Sequence, residues 1–181
     1  MNHVLVLSIL SDDKPGVVEA LAQTIADYQG NWLESRMSHL AGKFAGILQI
    51  NLPEAQMAPL QQALANLKTS HGIDVVASSA METEAKSDIT TLQFSLMGND
   101  RPGIIRELSQ AFASHHINLD ELQTNCSSMP WSGDPMFTAH GLLHIPSKVD
   151  LDDLTDQLDE IGDELGVDIE LGEVEDAAEE K

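Results

Sequence analysis

Cysteine and basic residues are the scarcest features of this 181-residue chain, and each shortage excludes something. Cys126 has no second cysteine to pair with, so no intramolecular disulfide forms and a reducing compartment is expected. Nine Lys and Arg stand against thirty Asp and Glu, a formal net charge of −21. Duplex DNA is held by cations that displace counterions from phosphates, and an anionic membrane is held by the same charges, so neither fits as a partner. No apolar stretch approaches the roughly 18 residues that a membrane-spanning helix needs. The opening "MNHVLVLSILSDDK" carries neither a basic segment before its short apolar run nor a small-residue cleavage pattern, so a cytoplasmic protein is expected.

What the chain does have is enough apolar material to fold. A hydrophobic content of 42% is that of an ordinary globular protein. Its length suits one large domain or two small ones of about 85 to 90 residues. A repeat decides for two. Residues 12–18 read "DDKPGVV" and residues 99–105 read "NDRPGII", 87 residues apart. At that spacing Leu5, Leu7 and Ile9 answer to Leu92, Phe94 and Leu96, and Leu21, Ile25, Asn31 and Glu34 answer to Leu108, Phe112, Asn118 and Glu121. Phe44 and Pro53 then answer to Phe137 and Pro146 at a spacing of 93, so the second copy carries six extra residues. Leu60, Leu64, Leu67 and Gly72 answer to Leu154, Leu158, Ile161 and Gly166 at 94. Two diverged copies of one module explain this.

Each copy carries the same succession of patterns. A strand-like apolar run ("HVLVLSIL", "TTLQFSLM") leads to the repeated phrase, whose Pro15 and Pro102 suit the first turn of a helix. Helical spacing follows at Val17, Val18, Leu21 and Ile25, and again at Ile104, Ile105, Leu108 and Phe112. Two more strands, a second helix striped by Met57, Leu60, Leu64 and Leu67, and a short closing strand complete the copy. The order βαββαβ, twice, predicts an α+β protein of two ferredoxin-like modules in tandem. Each is a four-stranded antiparallel sheet with two helices on one face. The expected bounds are 1–80 and 89–175, joined by a polar linker at 81–88 and followed by an acidic tail at 176–181.

The junction D-[KR]-P-G-[VI]-[VI], followed at the helix end by an Asn that opens the next strand, resembles the ACT domain. Two such modules in tandem, with Asn31, Glu34, Ser35, Arg36, Gly42 and Phe44 in "NWLESRMSHLAGKFAGILQI" and the long "PWSGDPMF" hairpin in the second copy, resemble the glycine cleavage system transcriptional repressor family. The resemblance implies a regulatory protein without catalysis or cofactor of its own. It would bind a small amino acid, such as glycine, and act by protein contact on a transcription activator. An allosteric subunit or partner of a metabolic enzyme is the alternative.

The repeated phrase can be read in two ways. The first N–H groups of a helix lack intrahelical partners and carry partial positive charge, so a ligand carboxylate is received well there. Gly16 and Gly103 remove the side chain that would block the approach, just before Val17 and Ile104. Asp12, Asp13, Asn99 or Asp100 can meet an α-amino group, with Asn31 and Asn118 expected to reach the same crevice from the following strand. The second way is plain capping, since Asp near a helix start followed by Pro is good capping chemistry. With the resemblance added, a ligand site in at least one copy is favoured, with Asn99–Gly103 ahead.

Other features point to surfaces. Val4, Val6, Ser8 and Leu10 make the first strand apolar on the face away from the helices, where the second copy has Thr91, Gln93, Ser95 and Met97. A strand apolar on both sides needs a second cover, either the sister module or a second chain, so Val4, Val6 and Leu10 are candidate interface residues and a homo-oligomer is expected. Trp131, in the six-residue insertion, is a candidate anchor for a protein partner. His140, His144 and Cys126 lack the tight spacing of a metal site, so no metal is expected. Fifteen of the thirty acids lie from Asp150 onward, on the outer face of a helix striped by Leu151, Leu154, Leu158 and Ile161.

Overall fold

Residues 2–80, 89–129 and 132–173 are described by the computed structural model. The chain divides into two compact units, Met1–Thr83 and Glu84–Lys181. The expected linker at 81–88, Trp131 and the expected tail at 176–181 lie outside the described residues.

In the first unit, β1 (Asn2–Asp12) leads into α1 (Val17–Asp27), β2 (Asn31–Leu40) and β3 (Lys43–Pro53). A single 3₁₀ turn precedes α2 (Met57–His71), and β4 (Ile73–Ser79) closes the unit. The sheet order is β2-β3-β1-β4, all antiparallel, so both helices return across one face. The second unit repeats the plan with β5 (Ile89–Asn99), α3 (Ile104–Ser114), β6 (Asn118–Ser128), β7 (Pro135–Pro146), α4 (Leu151–Leu165) and β8 (Val167–Glu173). Its sheet order is β6-β7-β5-β8.

Period-two alternation sends Leu5, Leu7 and Ile9 to the helix side, where Leu48, Ile50 and Leu52 of β3 meet them. Val17, Leu21 and Ile25 come down from α1, and Leu60, Leu64 and Leu67 from α2. Each of these side chains contributes about 1.5–3 kcal/mol on burial, so the stripe suffices to hold the helices on the sheet. The second core has the same layout around Phe94, whose ring meets Phe112 edge-on with centroids 5.4 Å apart. The buried stripe on α1 is narrower than its sequence suggests. Val18 stays 45% exposed, because Val17, Leu21 and Ile25 alone point straight down. Leu151, the first residue of α4, is likewise exposed while Leu154 and Leu158 are buried.

Both edge strands β2 and β6 carry a bulge, between Trp32 and Glu34 and between Leu119 and Glu121. The second turns the Glu121 carbonyl toward β7, where Gly141 lies beneath it. A Cβ on Gly141 would sit 2.0 Å from that oxygen and 2.8 Å from the Phe94 ring. Gly141→Ala is therefore expected to destabilise the second unit by about 1–3 kcal/mol, the usual cost of overpacking. Gly172→Ala, which meets nothing within 4 Å, should be close to neutral, and a urea melt of both variants checks the difference.

Candidate functional site

The corners that join strand to helix are built alike in the two units, and neither follows simple capping. Helix α1 starts at Val17 and α3 at Ile104, so Pro15 and Pro102 stand one residue before the N-cap and not in the first helical turn. The physical reason is the glycine between them. Gly16 has φ +93° and Gly103 φ +106°, values outside any helix and strained for a side-chain-bearing residue. Neither helix has a side chain capping its N-terminus. The first helical bonds run from Ala20 N to Gly16 O and from Glu107 N to Gly103 O. That leaves the N–H groups of the first three residues of each helix without helical acceptors. Asp13 and Asp100 are instead fixed through their backbones, the N–H of each donating to a carbonyl on the neighbouring hairpin, Gly42 and Pro135 respectively.

The base in each phrase has a structural role that the sequence did not reveal. Arg101 donates to the Glu164 carbonyl at 2.7 Å, in the last turn of α4. Lys14 lies over Gly72, the C-cap of α2, its Nζ 3.7 Å from where a Cβ would stand. Both cations thus meet the negative end of the second helix of their unit.

The two corners differ in their acids. Asp12 bonds Lys43 across the β1–β3 pair, and the Lys43 hydrogen bond and charge, helped by Lys14, hold its carboxyl below the usual value. In the second unit Asn99 stands at the position of Asp12, opposite Met136. There Asp100 instead accepts a hydrogen bond from the Cys126 thiol of β6. Local loss of hydration, and then the Asp100 carboxylate, push that thiol upward, which keeps it protonated and a poor nucleophile.

The structure does not bring Asn31 and Asn118 to these corners. Asn31 pairs with Asn51, which pairs with Val4, eight residues along β1 from Asp12. Asn118 is set the same way through His144 and Thr91. At about 3.4 Å per residue the amides lie about 27 Å from the corner of their own unit, so the shared crevice is corrected. An antiparallel order puts the start of β2 level with the start of β1, one strand away across β3, and the corner is at the end of β1.

On the open face of the second sheet, Gln93, Glu121, Gln123, His140, Gly141 and Leu142 line a shallow depression of about 140 Å³. His140 shares a hydrogen bond of 3.2 Å with Gln123, and His144 stands 4.0 Å from Asp120. On the corresponding face of the first sheet Val4 is 36% and Leu10 52% exposed, with Val6 between them half-buried. No helix among the described residues is long and apolar enough to cross a membrane.

Two four-stranded antiparallel sheets, each with two helices on one face and an uncapped glycine corner, define a tandem of ferredoxin-like modules. The family model of the ACT domain matches residues 3–78, the first of the two. The chain is similar to a protein of unknown role from Galdieria sulphuraria, with 24% identity, 96% of this chain and 99% of that one covered, and a TM-score of 0.84. It is also similar to a protein provisionally described as a glycine cleavage system transcriptional repressor, at 17% identity, covering 95% and 97% of the two chains, with a TM-score of 0.71. What these structures share with the chain is the tandem fold over nearly its whole length. No protein with a curated description matches.

The Asp12–Lys43 pair gives a pH dependence with a definite sign. A carboxyl whose folded pKa is depressed stabilises the fold above its unfolded value of 3.8 and loses that contribution as pH falls through the folded value. The pair is therefore intact at neutral pH and lost only below about pH 4. Both partners are exposed, so the effect is small. Thermal melts followed by circular dichroism should show Lys43→Ala slightly less stable than wild type at pH 7, with the gap closing below about pH 4.

Proposed function

We propose that the chain is a non-enzymatic, cytoplasmic regulatory protein that senses a small amino acid of the glycine type at its glycine corners. It passes that state on by contact with another protein, a DNA-binding activator in the leading version. The observation that carries this is the uncapped helix start behind a left-handed glycine, flanked by acids, in both units. The free N–H groups at Val17 and Ile104 suit a ligand carboxylate. Asp12 and Asp13 in the first corner, and Asn99 and Asp100 in the second, suit its ammonium group. Gly16 and Gly103 leave the approach open, since a Cβ on Gly16 would meet nothing within 4 Å and one on Gly103 only the end of Arg106 at 3.7 Å.

The second corner is the better candidate. Asp12 already has Lys43 as its partner, whereas among the described residues Asp100 is held by its backbone and a neutral thiol. Asn31 and Asn118 take no part within a module. Contact with a protein in preference to DNA follows from the net charge of −21, and the similarity to a described glycine cleavage repressor supports the choice of an activator as target.

Thermal melting with each amino acid at millimolar concentration tests the ligand. A ligand at about a hundred times its dissociation constant stabilises the fold by about 2.7 kcal/mol, a readily measured shift. Asp100→Ala is expected to remove most of the shift and Asp13→Ala less of it. No shift with any amino acid would sink the proposal. Affinity capture from cell extract then separates the targets, since recovery of a metabolic enzyme with no DNA-binding protein would replace the activator by an enzyme.

A further inference from the structure

The two open sheet faces have diverged in concert. Across the first sheet, Ile47, Ser8 and Val76 lie side by side on β3, β1 and β4, with Val6 and Leu10 to either side on β1. Ile47 is 52% and Val76 61% exposed, matching Leu10 at 52%. The same rows of the second sheet hold His140, Ser95 and Glu170, with Gln93 and Met97 to either side. Ile47 and Val76 thus extend the apolar patch onto three strands of the first sheet, while four of its five positions are not aliphatic in the second.

The charge on the first face narrows down what covers it. Its three acids are each matched by a base: Asp12 with Lys43, Glu34 with Arg36 at 3.8 Å, and Asp74 with Lys68 at 2.7 Å. This neutral face belongs to a unit with eight acids and four bases, net −4, in residues 1–83. Residues 84–181 hold twenty-two acids and five bases, net −17. A basic partner is drawn to the second unit and finds no net charge on this face. A second copy of the chain brings an equally neutral, apolar surface, and Glu34 and Arg36 side by side on β2 can exchange partners across a two-fold axis.

We infer that this face is a self-association surface on which two copies of the chain pack their first sheets face to face. Sheets stack this way about 10 Å apart with interdigitated aliphatic side chains. Four strands about 4.8 Å apart and about seven residues long give roughly 450 Å² per copy, or about 900 Å² in all. That is below the range of permanent dimers, so the pair is reversible. Repulsion between the two acidic second units opposes it, and salt screens that repulsion.

Sedimentation equilibrium of the full chain over a concentration series, at low and high salt, tests this. Wild type is expected to show a reversible monomer–dimer equilibrium that tightens as salt is added. Ile47→Glu with Val76→Glu, both at exposed positions, should weaken the dimer at least about a hundredfold with an unchanged melting curve. Leu10→Ser, a milder change, should weaken it in part, and Gln93→Glu on the other sheet should leave it as wild type. A chain that stays monomeric at every concentration and salt overturns the inference, even if it captures a different protein through this face. So does a dimer that the first-sheet variants leave intact, or one that Gln93→Glu dissolves.

Discussion

One-sided burial is the constraint on which the rest of each module depends. Two helices cover a single face of four antiparallel strands, so alternate residues along every strand belong to the core and the others to an open surface. The core face admits little change, and Leu5, Leu7 and Ile9 in one unit correspond in position to Leu92, Phe94 and Leu96 in the other. The open face is under no such demand. There the two copies have gone separate ways, to an aliphatic patch around Ile47 and to a polar depression around His140. A duplicated module of this kind can keep its fold and divide its surface work.

The same constraint makes the corner. A chain leaving the end of β1 must reverse over the core face within four residues to start α1 at Val17. Gly16 achieves that by a positive φ, at the cost of placing no polar side chain where a cap would sit. Lys14 and Arg101 are drawn to the far helix, and Asp13 and Asp100 are pinned to the hairpin by their backbones. Neither helix start receives a capping bond from these acids.

Much of the fold could be read from the sequence because it rests on periodicity and repetition. The strand and helix order, the cores and the two modules all follow from apolar spacing compared between copies. What could not be read rests on register and backbone geometry. That Asn31 lies level with Val4 depends on which residues of three strands pair, and nothing in the local pattern of β2 states it. Proline is compatible with a first turn, so the local pattern puts each helix start two residues early, and only the φ of the following glycine excludes it. Lys43, Ile47 and Val76 went unnoticed because their neighbours across the sheet, Asp12 and Ser8, are tens of residues away in the chain. The sequence did mark the corners as special, through duplication, but not what separates them: a lysine beside one and a thiol beside the other.

We propose that the uncapped N–H groups of the glycine corners receive a small amino acid. Amide chemical shifts of the labelled full chain, recorded during a glycine titration, test it most directly. Saturable shifts at Ile104, Ile105 and Arg106, with smaller ones or none at Val17, Val18 and Glu19, are what this account predicts. Saturable shifts confined to the depression around His140, or no saturable shift from any small amino acid, would contradict it.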